Sequence, residues 1–368
     1  MISNTKRKDI NMTRIDAVTA KMKSEGLSQL VITDYDAIYY LTGEMQHCGE
    51  RFYALLLKDD GSYKLFLNKL FTNLAIKDED VVFFTDNVKG AELLAKYTDH
   101  DKPLGLDKKM CAEFVLQLQG CAAGSDYLNG SYIIDTIRAI KDKHEQELMI
   151  KASQLNDAGM LEIKKYVKEG VTEKELADKL LEIYLAEGCD GFSFPPIVSF
   201  GDHAADPHHE PDDTKLEKNQ CVLFDIGCLK DGYCADMTRT FYFGEPSEEE
   251  KLIYELVKKA NASAEAMIKP GVRFCDIDAA ARNVIEAGSY GEYFTHRLGH
   301  SIGREVHEWG DVSGVNENTV VPGMTFSCEP GIYLPGRYGV RIEDLCLVTE
   351  DGVKILNSVS KEMEIIKA

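Results

Sequence analysis

The chain has 368 residues, 44% of them hydrophobic and 28% charged, and its formal net charge at pH 7 is -20. This length exceeds what one hydrophobic core usually organises, so two domains are expected, and the hydrophobic share excludes a disordered chain. The negative charge would repel phosphate backbones and anionic lipid surfaces, which argues against nucleic acid and membranes as partners.

Signals for secretion, membrane insertion or disulfide formation are missing from the sequence. Its basic start lacks the apolar stretch of a signal peptide, and no window reaches the about 18 uninterrupted apolar residues of a membrane span. Ten cysteines are scattered without a CxxC pair, and several lie in apolar runs, where a thiol behaves as a small hydrophobic group. We therefore expect a cytoplasmic protein with reduced thiols.

The first third of the chain has the pattern of a mixed α/β domain. Residues 13–26 place Ile15, Val18 and Met22 on one helical face, and this helix ends at Gly26. The segment LSQLVITDYDAIYYLTG predicts a strand that leaves into a loop. The runs YALLL, YKLFL and VVFF, bounded by Gly, Asp or Asn, predict further strands. The domain closes with SYIID, so we expect it to span residues 1–134.

The pattern then changes to that of an α+β domain, expected over residues 135–368. The segment IRAIKDKHEQELMIKASQLNDAGMLEIKKYV repeats apolar residues at three and four among many charges, which predicts a long surface helix. Further helices are expected over 173–187, 247–267 and 275–287. Strands are expected over 194–199, 221–227, 233–243, 323–328 and 340–349. Helices mixed with short hairpins are typical of the α+β class.

The segment CVLFDIGCLKDGYCADMTRTFYF predicts a hairpin that brings two acids together. Asp231-Gly232 is a strong turn signal, and a turn centred on Lys230 and Asp231 sets Asp225 opposite Asp236 on one face. Two carboxylates so close repel each other, so either one is protonated or a cation lies between them. Because the surrounding residues are apolar, an uncompensated charge would be costly, which favours the cation over two aspartates that merely cap loops.

Three histidines lie close together further along the chain. The segment HRLGHSIGREVHE contains His296, His300 and His307, and its glycines at 299 and 303 let the backbone approach another group closely. A lone histidine would more often be structural, but three in this setting indicate a site. Their spacing is not that of HExxH, which excludes the helical zinc-protease motif.

Two further acids lie near the end of the chain. Glu329 ends an apolar run before Pro330, which favours an extended backbone. In YGVRIEDLCLVTEDG, alternation puts Arg341 and Glu343 on one face and Asp344 on the other, so either acid could point inwards. A carboxylate-rich set with imidazoles suits two divalent ions such as manganese, cobalt, iron or zinc, which can activate water for hydrolysis.

The motifs FDIG, ADMTRT, GHSIGREVHE, SCEPGIY and VRIED, in this order, resemble those of the pita-bread metallopeptidase family. The two-domain layout is similar to its Xaa-Pro peptidase group, which includes prolidase and aminopeptidase P. This resemblance implies an α+β protein whose C-terminal pita-bread metallopeptidase domain follows a smaller creatinase-like α/β domain. It also implies a homodimer that hydrolyses the Xaa-Pro bond of short proline-containing peptides.

The resemblance implies two divalent metal ions per subunit, with manganese favoured and cobalt, iron or zinc as alternatives. Five residues would hold them: Asp225 on one ion, His300 and Glu329 on the other, and Asp236 and Glu343 bridging both. The family pattern therefore selects Glu343 over Asp344.

Further residues take roles by the same resemblance. His208, in ADPHHEP, and His307 would act in catalysis by orienting substrate and stabilising the tetrahedral oxyanion, and His296 would bind substrate. Glu329 would also carry protons between the attacking hydroxide and the leaving amine, which requires hydrogen-bond reach.

Four side chains have less specific roles. Arg341 and Tyr333 flank the site as substrate-binding residues, and Arg341 could fix an acid or a substrate carboxylate through its planar fork. For Tyr333 a place in the core is an equal alternative. His203 and His209 are weaker candidates for the site. His203 lies in a GDHAA loop, where a surface residue is at least as expected, and His209 corresponds to a variable neighbour of the family's histidine.

The sequence leaves three alternative functions for this protein. Similarity to compact bacterial prolidases favours an Xaa-Pro dipeptidase, and an Xaa-Pro aminopeptidase is the alternative. A catalytically silent peptide-binding module is the third, and the presence of all five metal ligands argues against it.

Overall fold

The computed structural model describes residues 4–72, 74, 76 and 78–367, without the side chains of residues 4–12 and 78. The start of the sequence, where no signal peptide is expected, lies partly outside them. Contacts divide the chain into two compact units, Met1–Ile137 and Arg138–Ala368. The expected boundary between residues 134 and 135 falls within a helix and stays a prediction.

The described part of the first unit contains one mixed sheet flanked by helices. Its strands are β1 (Gln29–Ile32), β2 (Ala54–Lys58), β3 (Tyr63–Asn68), β4 (Val81–Phe84), β5 (Leu104–Leu106) and β6 (Tyr127–Asn129). Its helices are α1 (Asn4–Ser24), α2 (Tyr35–Thr42), α3 (Gly90–Leu94), α4 (Ala112–Gly120) and α5 (Ser131–Arg138), the last ending at the division. The strand order is β4-β3-β2-β1-β5-β6, with β2 antiparallel to both β1 and β3.

The apolar face predicted for the first helix is buried as expected. Ile15, Val18 and Met22 are at most 8% exposed and pack in one core with strand residues of the sheet. The loop expected after β1 was wrong, because that segment forms α2. Asp34 caps this helix by accepting a hydrogen bond from the Asp36 amide, a local signal that favours a helix start.

The second unit combines four helices with several small sheets among its described residues. The helices are α6 (Lys143–Ile163), α7 (Glu173–Ala186), α8 (Glu248–Met267) and α9 (Phe274–Ala287). The first seven strands are β7 (Gly191–Phe192), β8 (Ile197–Phe200), β9 (Gln220–Ile226), β10 (Cys228–Lys230), β11 (Tyr233–Cys234), β12 (Met237–Phe243) and β13 (Gly299–Ser301). The others are β14 (Glu308–Val312), β15 (Thr325–Cys328), β16 (Gly331–Leu334), β17 (Tyr338–Arg341), β18 (Asp344–Val348), β19 (Val353–Ile355) and β20 (Ile365–Ile366).

Two sheets position the acids and the histidine that the sequence singled out: Asp225 lies in β9 and His300 in β13, whereas Asp236, Glu329 and Glu343 lie next to the ends of β12, β15 and β18. One has the order β20-β12-β9-β8 and the other the order β14-β13-β15-β18-β19, while β16 and β17 form a separate hairpin. Strands β13 and β14 were not predicted, because their segments are short and rich in glycine and charge. Helices α8 and α9 pack together, and their apolar faces contribute to the largest core of this unit.

The long helix expected from about residue 137 is interrupted. Residues 139–142 leave the helical path, Lys141 donates its amide to the Gly323 carbonyl, and α6 begins at Lys143. Asp142 and Glu145 form a capping box there, in which each side chain bonds the other residue's amide. The prediction missed this start because the apolar spacing continues across the break.

The hairpin of β9 to β12 forms, but its register differs from the prediction. Asp231 and Gly232 both have positive φ, 52° and 78°, so the two-residue turn is centred on them, as expected for an Asp-Gly pair. Asp225 therefore pairs with Thr238 rather than with Asp236. Because the shift is two residues, Asp225 and Asp236 stay on one face as diagonal neighbours.

Two features considered from composition can be described in the structure: the state of the cysteine thiols and the length and polarity of the helices. All ten cysteines, which fall in the described residues, are free, and seven of them are buried. No helix in the described part of the chain is long and apolar enough to span a bilayer.

Candidate active site

A cavity of about 470 Å³ opens in the second unit, and most predicted site residues line it. Its lining includes Asp225, Asp236, His300, Glu329, Glu343, His208, His296, His307 and Arg341. The lining also includes apolar residues, several of them prolines: Phe194, Pro195, Pro196, Ile197, Pro207 and Pro211. Acids from separate segments of the chain thus share one cavity with apolar side chains.

The acids and His300 converge at the bottom of this cavity. Asp236, His300 and Glu343 each offer a ligand atom, and these atoms all lie within 4.8 Å of one another. The Nε2 atom of His300 is 3.7 Å from Asp236 Oδ2 and 3.4 Å from Glu329 Oε1. Among the described residues, no donor reaches the buried Oδ1 atoms of Asp225 and Asp236. Two buried acceptor atoms of the cavity-lining acids are thus left without a donor in the described part of the chain.

Two hydroxyl groups orient side chains of this cluster. Thr238 Oγ1 donates to Glu343 Oε2 at 2.7 Å, and Ser327 Oγ donates to Glu329 Oε1 at 3.0 Å. Ser327 Oγ also accepts from the His300 amide at 3.0 Å. Sequence reasoning missed both residues, although they lie inside the motifs ADMTRT and SCEPGIY. Their signal was alternation, which places Thr238 on the face of Asp236 and Ser327 two residues before Glu329.

The pKa shifts of the clustered side chains indicate which kind of ion the cluster can bind. Burial, followed by the neighbouring carboxylates, raises the pKa of Asp236 and of Glu343 well above the usual range. Burial raises the pKa of Glu329 to about 7 and lowers that of His300 to about 3. Although Arg341 is close by, the pKa values of Asp236 and Glu343 stay raised, so the acids cannot all ionise without a further cation; the imidazole is neutral, the form that binds metal. The donor set therefore fits divalent cations.

Arg341 connects the acids to two aromatic side chains. Its guanidinium, 2% exposed, donates to Asp225 Oδ2 at 2.6 Å, to Tyr333 Oη at 2.9 Å and to Thr238 Oγ1 at 3.0 Å. Tyr333 Oη also lies 2.8 Å from His296 Nε2. Since Tyr333 accepts from Arg341, it donates to His296, whose other ring nitrogen faces the Arg297 carbonyl at 2.7 Å. Burial lowers the pKa of His296 to about 4, so the ring is neutral.

The other histidines fall into two groups. His208 and His307 are exposed in the cavity, and the His307 ring lies edge-on to His300 at 4.3 Å. His203 and His209 instead bond the buried carboxylate of Glu173, at 3.0 and 2.7 Å. The expectation of a merely surface role for His203 was therefore wrong.

Two buried glutamates near the cavity were missed by sequence reasoning. Glu173 begins α7 and looks like an ordinary acid of a first helical turn, yet it is 0% exposed. Glu308 follows His307 and receives hydrogen bonds from Arg138 and Lys141. Their partners are distant in sequence, so no local pattern indicates them.

Gly299 allows the strand that carries His300 to pass close to its neighbour. A Cβ atom on Gly299 would lie 1.9 Å from the carbonyl oxygen of Ser327, a backbone atom that cannot move alone. We expect Gly299→Ala to lower the free energy of unfolding by about 1–3 kcal/mol, as overpacking does, and to displace His300. Chemical denaturation and metal titration measure both effects. Gly352→Ala, whose Cβ would meet nothing within 4 Å, is the control; equal stability of both variants would contradict the prediction.

The chain matches two family models over most of its length. Residues 147–350 match the metallopeptidase family M24 model, and residues 14–140 match the creatinase/prolidase N-terminal domain model. A fold with these two domains and a cavity rich in metal-type donors defines a metallopeptidase. The chain belongs to metallopeptidase family M24 and is a peptide-bond hydrolase.

Similar proteins cover the chain almost end to end. An uncharacterized peptidase of Staphylococcus aureus (strain MSSA476) is 38% identical over 361 residues, which cover 95% of this chain and 100% of the relative. A dipeptidase from Pyrococcus horikoshii OT3 has a TM-score of 0.91 and 34% identity, covering 96% of this chain and 100% of its own. A prolidase from Thermococcus sibiricus has a TM-score of 0.89 and 33% identity, covering 96% and 98%.

These comparisons confirm the family, the fold class and the enzyme class expected from the sequence. The two-domain α+β architecture and the peptidase activity agree with the motifs that suggested them. Membership implies divalent metal ions and peptide substrates.

Proposed function

We propose that this protein is an Xaa-Pro dipeptidase that works with two divalent metal ions, manganese in particular. The ions would be held by Asp225, Asp236, His300, Glu329 and Glu343. One observation carries the proposal: four carboxylates and a neutral imidazole line one cavity, with two aspartate oxygens that no donor among the described residues satisfies. The similar dipeptidase and prolidase, which cover nearly the whole chain, support the substrate class.

When bound, such ions lower the pKa of water and polarise the carbonyl of the scissile bond. The protein's own groups would move the protons. Glu329, whose Oε1 lies 3.4 Å from His300 Nε2, would accept a proton from the attacking water and release it to the leaving proline nitrogen. The hydrogen bond from Ser327 fixes one oxygen of this carboxylate and leaves the other for that transfer.

The histidines of the cavity would bind the substrate. His208 and His307 are exposed there, and neutral imidazoles can donate an N–H to a carbonyl or to the oxyanion that develops from it. His296 already uses both ring nitrogens for Tyr333 and Arg297, so its substrate contact would use the face of its ring.

Arg341 and Tyr333 would hold other side chains of the site in place. The guanidinium bonds Asp225, Thr238 and Tyr333, which supports the proposed role of fixing an acid rather than a substrate carboxylate. Tyr333, whose pKa burial raises to about 12, stays protonated and would keep His296 in one orientation.

The choice between dipeptidase and aminopeptidase can be tested directly. With Mn²⁺ added, we expect kcat/KM for an Xaa-Pro dipeptide to exceed that for the matching Xaa-Pro-Yaa tripeptide by at least about 10-fold, or about 1.4 kcal/mol in the barrier. The corresponding Xaa-Ala dipeptide is the control for proline. Cleavage of the tripeptide alone would make the protein an Xaa-Pro aminopeptidase. Loss of activity on chelation, restored by Mn²⁺, tests the metal.

We further propose a cytoplasmic homodimer whose domains comprise residues 1–134 and 135–368. The similarity to whole prolidase and dipeptidase chains supports this organisation. Light scattering coupled to size-exclusion chromatography would give the mass of the assembly, with a monomer of 41.2 kDa as the reference.

A further inference from the structure

Glu173 is a charged residue whose burial needs an explanation. It is the first residue of α7, its side chain is 0% exposed, and both carboxylate oxygens are fully used. Oε1 accepts from the Phe200 amide at 2.8 Å and faces His203 Nδ1 at 3.0 Å. Oε2 accepts from the Asp212 amide at 3.2 Å and faces His209 Nε2 at 2.7 Å. Charge-assisted hydrogen bonds of this kind offset the cost of burying the carboxylate.

All four donors belong to one loop, which leaves β8 at Phe200 and returns at Asp212. The two backbone bonds fix the ends of this loop, and the two imidazole bonds fix its middle. The loop also carries Pro207, His208 and Pro211 to the cavity wall. His208 sits between Pro207 and the anchored His209, and its amide donates to Asp206 Oδ1 at 3.0 Å. The backbone of His208 is therefore set by the bond between Glu173 and His209.

The distances distinguish this network from a second metal site. Glu173, His203, His209 and Asp212 have the residue types of metal ligands. However, the nitrogen-to-oxygen separations of 2.7 and 3.0 Å are those of hydrogen bonds. In the cavity the corresponding separations at His300 are 3.4 and 3.7 Å, which leave room for a cation between the atoms.

We propose that Glu173 is a positioning residue for His208. It holds the loop of residues 200–212 in the one conformation that presents the His208 imidazole to the scissile bond, and it acts on catalysis only through that imidazole. The proposal rests on the function proposed above. An error of about 1 Å in placing a catalytic group can cost about 100-fold in rate, so a remote anchor can matter for turnover.

A double-mutant cycle tests this role. We expect Glu173→Gln to lower kcat/KM about 10- to 100-fold in the wild-type background, because the amide presents a donor to groups that require an acceptor. In the His208→Ala background the same substitution should change kcat/KM less than about 3-fold, because the group through which it acts is gone. If Glu173→Gln lowers kcat/KM by the same factor in both backgrounds, the proposal is overturned.

The chain offers a matched control at another helix start. Glu145, 2% exposed in the first turn of α6, accepts from Tyr233 Oη at 2.8 Å and from the Asp142 amide at 2.9 Å. Glu145→Gln also removes a buried carboxylate, but it should have the same effect on kcat/KM with and without His208. Coupling of similar size for Glu145 would show that the effect is general destabilisation.

A second pair of variants keeps the test valid if Glu173→Gln fails to fold. His209→Ala removes one of the four bonds, whereas His209→Gln can place an amide donor where Nε2 lies. We expect the alanine variant to lose activity and the glutamine variant to recover most of it, with equal metal content. Equal losses in both variants would contradict the proposal.

A readout without substrate separates this inference from the proposed function. Hydrogen exchange of the amides in residues 201–212 should become faster in Glu173→Gln and His209→Ala, and stay unchanged in Glu145→Gln. If the wild-type enzyme prefers another peptide, the double-mutant cycle is measured on that peptide. Its result then tests the role of Glu173 independently of the proposed substrate. Stoichiometric Zn²⁺ binding that Glu173→Gln removes and Asp236→Asn preserves would make this network a metal site and overturn the positioning role.

Discussion

Replacing Asp236 by asparagine is expected to remove turnover and weaken metal binding while the protein stays folded. Asp236 Oδ1 has no donor in the described part of the chain, Oδ2 lies 3.7 Å from His300 Nε2, and the residue is 3% exposed within the acid cluster. An amide of the same shape keeps the packing but removes the negative charge and leaves a single neutral oxygen as an acceptor for a cation. We expect kcat to fall by at least about 1000-fold, which corresponds to about 4 kcal/mol in the barrier.

The metal-free forms provide an independent part of this prediction. In the absence of a cation, burial and the neighbouring carboxylates raise the pKa of Asp236, so the cluster is under electrostatic strain. Asp236→Asn removes one of the acids, and the metal-free variant should melt at or above the temperature of the metal-free wild type. Addition of Mn²⁺ should then stabilise the wild type much more than the variant, because only tight binding shifts the unfolding equilibrium.

Metal content by mass spectrometry, titration calorimetry with Mn²⁺ and thermal unfolding measure these effects. Asp231→Asn is the matched control in the same hairpin, since Asp231 is exposed at the turn and its carboxylate forms ion pairs with Lys151 and Lys230. The control should retain full metal content and activity. Full activity in Asp236→Asn would exclude a bridging role for this residue.

Replacing Glu308 by alanine is expected to destabilise the second unit by about 3–5 kcal/mol, the usual cost of removing one partner from a buried ion pair. Glu308 bonds Arg138 at 2.8 Å and Lys141 at 2.9 Å, and all three side chains are at most 5% exposed. Its loss leaves two buried cations, of which Arg138 keeps a contact with Glu305 at 3.1 Å. The Arg304 amide also loses its acceptor, so the loop that carries His307 loosens.

Urea denaturation measures this loss of stability. Glu305→Ala serves as the control, because the same cation loses a partner that is 23% exposed and therefore screened by water. Glu305→Ala should lower the free energy of unfolding by less than about 1 kcal/mol. Combining Glu308→Ala with Lys141→Met should recover part of the loss, since one unpaired cation disappears. Equal stabilities of the two single variants would contradict the importance of this ion pair.

The same residue gives stability a defined dependence on pH. Burial alone would raise the pKa of Glu308, but the charges of Lys141 and Arg138 outweigh it and lower the pKa to about 2. A depressed pKa in the folded state means that the stabilisation is complete above the ordinary value of 4.5 and is lost as pH falls towards about 2. Wild type and Glu308→Ala should therefore converge in stability over that interval.

The local features of the fold could be predicted from the sequence because their causes are local. The capping boxes at Ser247 and Thr172 and the apolar spacing behind them indicate α8 and α7 to within one residue. The Asp231-Gly232 pair indicates the turn, since both residues adopt a positive φ there. The error of two residues in the hairpin register arose from placing the turn centre one position too early.

The composition of the site was also available from the sequence. The motifs contain the acids and histidines that line the cavity, and the family resemblance distinguished Glu343 from Asp344. In the structure Asp344 points to the other side, where it pairs with the buried Arg239 at 2.7 Å. Alternation had left that choice open, because a strand in the core can bury charge on either face when each charge has a partner.

The tertiary structure alone decided what each of these residues bonds. Thr238, Ser327, Glu173 and Glu308 take their roles from partners brought together by pairing between strands and loops, which no local pattern specifies. The sequence by itself predicted that four carboxylates and a histidine belong to one site, because residue type and order carry that chemistry, and these residues line one cavity. Only the fold determined that Arg341 is committed to Asp225 and that buried glutamates anchor the loops of His208 and His307, because such contacts depend on long-range packing.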